Sequence, residues 1–348
     1  MNQAEPLLIR ADADLRMGTG HVMRCLALAQ AWQDVAGQAE FLTTSDTPDI
    51  LSRLRAEGMQ VTPATLPAGS AADAAHTASR AREIGASWVV VDGYQFDAAY
   101  QQALKSAGLK VLWVDDYGHA PPYCADLVLN QNLCAEESFY LSREASTRLL
   151  LGACYALLRR EFQSWRDWRR DLPQRAAKVV VTMGGSDCAN TTHKVLESLH
   201  SVNVPGLGAR LVVGPANPFR ETLEAAAAAS GCNVHVVTAG RDMPQLMAWA
   251  DVAVAAAGST CWELMFMGLP SLLVIQTEHQ QRVAETLHDR GMALNLGRAE
   301  SLLPGNVAQA LVNLLGSRSV REQMSQRGRQ LLDGKGAERV IAAMDAST

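Results

Sequence analysis

The stretch Ile9–Ala29, IRADADLRMGTGHVMRCLALA, preceded by Leu7 and Leu8, decides how the chain begins to fold. Leu7-Leu8-Ile9 is an apolar run too short for much besides a buried strand, and Met17-Gly18-Thr19-Gly20 breaks it before a helical period sets in. From His21 onward, Val22, Met23, Cys25, Leu26, Leu28, Ala29 and Trp32 give a helix with a wide apolar face. The order is therefore strand, glycine turn, helix. Backbone N–H groups in a first helical turn lack intrahelical partners and favour phosphate or developing negative charge. His21 stands directly after the turn, where a helix N-terminus favours a neutral imidazole able to accept a proton. A GxG turn also occurs for steric reasons alone, and this one lacks the third glycine and distal acid of a dinucleotide fingerprint.

The 348 residues, 48% hydrophobic, suffice for about two domains of ordinary size. A net charge of −5, with the mixed tract RDWRRDLPQR (Arg166–Arg175) as the longest basic run, argues against a nucleic-acid partner. Seven cysteines without CxxC spacing suggest neither a disulfide framework nor a zinc site, which fits a reducing cytoplasm. The beginning, MNQAEPLLIRADAD, has no basic and then apolar signal pattern, and no run approaches the roughly 18 apolar residues of a membrane span. Membrane insertion is not expected.

Short apolar runs alternate with helical stretches: Leu7–Ala11, Ala39–Thr43, Trp88–Val91, Val111–Val114, Leu127–Leu129, Lys178–Thr182, Ala209–Val213, Asn233–Val236, Val252–Ala255 and Ser271–Ile275. This is the rhythm of α/β proteins with parallel sheets and crossover helices. It is interrupted once, by the Trp- and Arg-rich segment Phe162–Ala177, and then restarts as it began, with a strand and the glycine turn Met183-Gly184-Gly185-Ser186-Asp187. The expected organisation is a first Rossmann-like domain over 1–163, a linker over 164–177, a second Rossmann-like domain over 178–317 and a helical segment over 318–348 packing back on the first. Ligands bind outside the carboxyl ends of such strands, so a cleft between facing loops is expected, as in GT-B enzymes. Thr62–Ala75 reads as a loop or weak helix, and the alanine run Ala225–Ala229 as helix without chemistry.

The second informative block is Ala250–Gln281, ADVAVAAAGSTCWELMFMGLPSLLVIQTEHQQ. A strand ends near Ala257, and Gly258-Ser259-Thr260 turns into a helix whose backbone donors suit a diphosphate. Glu263 follows within the first turn, where a carboxylate can accept hydrogen bonds from a ribose diol. Helix capping alone would also account for Ser259, Thr260 and Glu263. His279-Gln280-Gln281 comes after the next strand, with amides suited to sugar or phosphate oxygens. Asp92-Gly93-Tyr94 and Asp115-Asp116 follow strands of the first domain, where single acidic residues more often serve turns than catalysis. His119, His193 and His288 read as surface positions. No GxxxxGK[ST], HExxH or GxSxG occurs.

In combination, GTGHVMRCLALA, GACYALLRREF (Gly152–Phe162), GGSDCANTT and AAGSTCWELMFMGLPSLLV resemble the UDP-2,4-diacetamido-2,4,6-trideoxy-β-L-altropyranose hydrolases of pseudaminic acid biosynthesis, a nonulosonic acid route to surface glycans such as those of flagellin. The resemblance runs from about Leu7 to Gly297, and its UDP block is also similar to that of the peptidoglycan N-acetylglucosaminyltransferase. It implies that His21 is the general base for water attacking the anomeric carbon, with inversion and UDP leaving, and that Tyr94 orients water or sugar. It further implies substrate binding by Gly18, Thr19, Gly20, Arg159, Gly185, Ser259, Thr260, Glu263, Gln280 and Gln281, with Glu263 on the ribose. No metal or other cofactor is implied, and the partner is the UDP-sugar; no oligomeric state follows. Gly93 stands where the family has histidine and His279 where it tends to have asparagine, which puts the sugar's stereochemistry and substituents in question. The alternative is a GT-B glycosyltransferase with a UDP-amino-sugar donor, which would need an acceptor; a non-enzymatic nucleotide-sugar-binding protein is a third reading.

Overall fold

The computed structural model describes residues 6–14, 17–214, 217–238, 240 and 242–347. Within these, the chain forms two compact units, one from 6–14, 19–160 and 334–347, the other from 17–18 and 161–333. The first unit runs β1 (Leu7–Ala11), α1 (Gly20–Asp34), β2 (Ala39–Thr43), α2 (Pro48–Ala56), β3 (Gln60–Pro63), α3 (Ala71–Ile84), β4 (Trp88–Asp92), α4 (Ala98–Ser106), β5 (Lys110–Val114), β6 (Leu127–Asn130) and β7 (Arg148–Leu151). The second runs β8 (Lys178–Thr182), α5 (Thr191–Leu199), β9 (Gly208–Val213), α6 (Arg220–Ala229), β10 (Asn233–Thr238), α7 (Met243–Trp249), β11 (Val252–Ala256), α8 (Thr260–Phe266), β12 (Ser271–Ile275), α9 (Gln281–Asp289), β13 (Leu294–Arg298), α10 (Pro304–Gly316) and α11 (Arg318–Leu331). The last helix, α12 (Gly336–Asp345), returns to the first unit, against α1.

Each unit is a parallel sheet covered by helices on both faces. The strand orders are β3-β2-β1-β4-β5-β6-β7 and β10-β9-β8-β11-β12-β13. In the first unit one apolar layer lies under α1 and α12, and another, including Trp113 and Tyr100, under α3 and α4. In both sheets the order reverses beside the opening strand, so the loops after β1 and β4, and after β8 and β11, diverge. Such switch points leave a crevice at the carboxyl ends of the strands.

The strands that the apolar runs missed, β3, β7 and β13, all lie at sheet edges and pair on one side only. An edge strand need not be apolar on both faces, and β3 and β13 have no fully buried residue, whereas β1, β4, β11 and β12 are buried throughout. Thr62–Ala75, read as loop or weak helix, contains the end of β3 and the start of α3.

The segment 164–177, expected as a linker, is bound into the second unit instead. Arg170 donates to the carbonyls of Met247, Ala250 and Met267, capping the ends of α7 and α8, and Arg321 of α11 donates to Pro173 O at 2.7 Å. Arg321 also caps α10 through the carbonyls of Leu314 and Leu315. Guanidinium groups at helix C-termini satisfy otherwise orphaned carbonyls. These bonds keep α11 in the second unit, so the chain returns at Gly334 rather than at 318.

The α12 docking depends on Gly336, where an added Cβ would stand 2.1 Å from Ala156 O and 2.6 Å from Ala156 N. Backbone on both sides leaves no flexible group to yield. Gly336→Ala is expected to destabilise the first unit by about 1–3 kcal/mol through overpacking, read as a lower urea midpoint; an unchanged midpoint would disprove the close approach.

Candidate active site

The loop after β1 delivers His21 to the first turn of α1, and β4 ends in Asp92. His21 Nδ1 lies 2.6 Å from Asp92 Oδ1. Burial opposes the charge on Asp92, but Arg24 and His21 outweigh it and hold the carboxyl well below the usual range. An ionised carboxylate has no proton to give, so across this 2.6 Å contact Nδ1–H is the donor; Arg24 Nη2, itself only a donor, stands 3.1 Å from the same nitrogen and has its acceptors on Asp92 and Asp116 instead. Neutral His21 then carries its lone pair on Nε2. Thr19, at the N-cap of α1, makes no side-chain cap bond, and no acidic residue follows in the first turn. That helix end therefore keeps its affinity for an anion.

Arg24, one turn along α1, is the residue that the sequence reading overlooked. Its Nε and Nη2 donate to Asp92 at 2.6 and 2.7 Å, and its Nη1 and Nη2 to Asp116, beyond β5, at 2.8 and 3.0 Å. Both pairs are bidentate, the geometry a planar guanidinium favours. Asp116 also accepts from Tyr94 Oη at 2.7 Å and Asn132 Nδ2 at 2.9 Å. It is held well below the usual carboxylate range by Arg24 against the opposing effect of burial. Tyr94 is pushed far above an ordinary phenol, first by burial and then by Asp116, so it remains a donor and is no base. Its ring meets His21 edge-on at 4.8 Å. Two carboxylates and one guanidinium leave one negative charge, which an imidazolium formed at His21 would neutralise. Taken singly Asp92 and Asp116 read as turn residues; a charged Arg24 three positions after His21, inside an apolar helix, was the available signal.

Beside this network, Asp115 accepts from the N–H groups of Tyr117 and Gly118, both at 2.7 Å, and from Tyr123 Oη at 2.6 Å. His119, expected at the surface, has a largely covered side chain, its Nδ1 3.3 Å from the same carboxylate. Burial works against its charge, but Asp115 prevails and raises it. Gly93 has φ 154°, a backbone conformation that side-chain-bearing residues rarely adopt, and a Cβ there would lie 2.6 Å from Gln95 Oε1, so the Gln95 amide would have to shift. Arg159 is buried in the segment after β7, while neighbouring Arg160 grips Gln30 O and Asp34 at the end of α1.

In the second unit, Asp187 of the β8 loop accepts from Thr191 N and Thr192 N at 2.8 and 2.9 Å. The start of α5 is thus capped by the protein's own carboxylate, which burial pushes up. Gly185 packs backbone to backbone with Gly214, where a Cβ would lie 2.3 Å from Gly185 O. Gln276 Nε2 reaches Asp187 at 3.2 Å and Gln276 N donates to Gln280 Oε1 at 3.0 Å, while Gln280 Nε2 lies beside Gly258. The loops after β8, β11 and β12 therefore converge. Gly258, Ser259, Thr260 and Glu263 are all half-buried there, and Ser259, at the N-cap of α8, makes no side-chain cap bond. Gln281 is directed elsewhere: its amide bonds Glu285 at 2.9 Å and Arg298 at 3.3 Å. Gly18, with φ 76°, groups with this unit, and a Cβ on it would lie 3.7 Å from Ser186 Oγ.

Removing Arg24 would leave the buried Asp92 and half-buried Asp116 carboxylates without the cation they share. Arg24→Met is expected to cost about 3–5 kcal/mol in urea denaturation. Asp92 and Asp116 titrate below their unfolded value of 3.8, so their contribution is full above that value and is lost as pH falls below it. Without Arg24, the main group opposing burial at both carboxylates is gone, and the loss should begin at higher pH; an acid profile identical to wild type would contradict this account.

The chain is 30% identical over 202 residues to Spore coat polysaccharide biosynthesis protein SpsG of Bacillus subtilis, covering 58% of this chain and 59% of that protein. It is 22% identical over 290 residues, 82% of this chain and 97% of the other, to a Campylobacter jejuni protein named UDP-2,4-diacetamido-2,4,6-trideoxy-beta-L-altropyranose hydrolase. Among solved structures, Acinetobacter baumannii MurG aligns with a TM-score of 0.65 at 16% identity, over 98% of this chain and 99% of that one. Among the described residues no helix is long and apolar enough to cross a membrane. Residues 179–340 match the Glycosyltransferase family 28 C-terminal domain, and with its two parallel sheets the chain has the fold of the GT-B glycosyltransferase-like superfamily.

Proposed function

We propose that the chain is an inverting nucleotide-sugar hydrolase that splits a UDP-2,4-diacetamido-2,4,6-trideoxy hexose into UDP and the free sugar, within nonulosonic acid biosynthesis. The observation that carries this reading is the His21–Asp92 pair fixed by Arg24, since it leaves Nε2 as an oriented acceptor. In the step, His21 Nε2 takes a proton from water as the water oxygen bonds to the anomeric carbon. The bond from that carbon to the diphosphate oxygen breaks, and its electron pair leaves with UDP. Asp92 stabilises the imidazolium through Nδ1–H, and Tyr94 orients water or sugar from its place against Asp116.

Thr19, Gly20 and Gly18 at the β1 loop would supply donors near the leaving group, and Arg159 would contact substrate. The converging loops of the second unit would hold UDP, with Ser259, Thr260 and Gln280 near the diphosphate, Gly185 lining the site and Glu263 on the ribose. Because UDP leaves readily as an anion, donors and a base account for the chemistry. The Campylobacter relative's name supports the hydrolase reading over most of that protein's length. The match of residues 179–340 favours a second reading, a glycosyltransferase with the same kind of donor.

Proton NMR of the enzyme with UDP-2,4-diacetamido-2,4,6-trideoxy hexoses separates the two. Release of free, inverted sugar without any acceptor is expected; UDP release only when an acceptor is added would establish the transferase instead. His21→Ala should lower turnover about 10²–10⁴-fold while UDP affinity stays within twofold. Wild-type turnover in that variant would remove His21 as the base.

A further inference from the structure

Tyr117 has a combination of exposure and fixity that the mechanism above does not use. It is 42% exposed. The other exposed large apolar residues, Val35, Leu141, Leu303, Val312 and Val320, belong to helices or their caps, whereas Tyr117 lies just beyond the carboxyl end of β5. The Asp115 carboxylate fixes its turn by accepting from the N–H groups of both Tyr117 and Gly118, and Tyr123 and His119 hold that carboxylate in turn. The Tyr117 ring lies 5.4 Å from that of Tyr94 and 5.5 Å from that of His119, and Tyr94 lies 4.8 Å from His21. An exposed aromatic ring thus stands one ring away from the general base, on backbone that a buried carboxylate immobilises. Tyrosine has two side-chain torsions, so covering it costs little ordering entropy.

We propose that Tyr117 is the platform on which the sugar ring of the nucleotide sugar packs, and that it selects a sugar presenting an apolar face or methyl group, such as a 6-deoxy acetamido hexose, over a fully hydroxylated one. The inference rests on the nucleotide-sugar reading. Polar hydroxyl groups laid on the ring would lose water without gaining a partner, while C–H and methyl groups lose nothing by leaving water. Discrimination by one methyl against an apolar surface amounts to about 10–200-fold.

The test compares wild type, Tyr117→Ala and Tyr117→Phe by calorimetric affinity for UDP and for a UDP-2,4-diacetamido-2,4,6-trideoxy hexose, alongside UDP release from the latter. Tyr117→Ala should lose about 10–100-fold in affinity for the UDP-sugar, mirrored in KM more than in kcat, with UDP affinity within twofold of wild type. Tyr117→Phe should restore most of the loss, because the ring rather than the hydroxyl is used. UDP-sugar affinity within twofold of wild type in Tyr117→Ala, an equal loss for UDP, or a Phe variant as weak as Ala would each overturn the platform. If wild type binds the UDP-sugar more tightly than UDP without hydrolysing it, and Tyr117→Ala abolishes that excess, the platform stands and the hydrolase reading falls. If hydrolysis occurs and Tyr117→Ala leaves it unchanged, the reverse holds. Absence of both binding and hydrolysis overturns both.

Discussion

One guanidinium shared by two carboxylates, buried Asp92 and half-buried Asp116, organises the first unit's site. Arg24 brings together α1, the end of β4 and the residue beyond β5, so that three separate stretches of chain meet at one cation. Each carboxylate alone would be forced toward its neutral form by burial, and with Arg24 both stay ionised. Everything nearby follows from that charge. Asp92 fixes the imidazole orientation and Asp116 keeps Tyr94 a donor. Because the pairs are bidentate, they fix direction as well as distance.

The two units treat the starts of their first helices differently, although both begin with strand, glycine turn and helix. In the first, α1 has no side-chain cap and no acidic residue in its first turn, so its donors suit an incoming anion. In the second, Asp187 already occupies the start of α5, and polar groups gather instead where the loops after β11 and β12 meet it. The same local motif thus has two outcomes, decided by one carboxylate, Asp187, five residues past the end of β8.

The central strands were legible because burial on both faces demands continuous apolar runs, and β1, β2 and β12 have the same bounds as those runs. Edge strands such as β3 escaped because one flank faces no partner. His21 was legible from its place at a helix mouth. Arg24 and Asn132 were not, since each acquires its meaning from an acid on another stretch of chain, Asp92 and Asp116 for the first and Asp116 for the second, and His119 was not because its partner Asp115, only four residues away, counts only once it is buried. The supposed linker failed for a related reason. An Arg- and Trp-rich stretch of mixed charge reads as a linker until the carbonyls it caps, such as Met247 O and Met267 O, are known.

By itself the sequence determined the alternation of strand and helix, the two glycine-loop halves and the position of His21, because these depend on apolar periodicity and on what glycine permits locally. Tertiary structure alone decided which acids serve His21, that Arg24 joins them, that Gln281 turns toward Glu285 and Arg298 rather than toward Gln280's partners, and where the chain leaves the second unit. The reason is physical: a buried charge is tolerated only when a partner of opposite sign reaches it, and in a parallel sheet those partners arrive on loops from strands that are neighbours in space but distant in sequence.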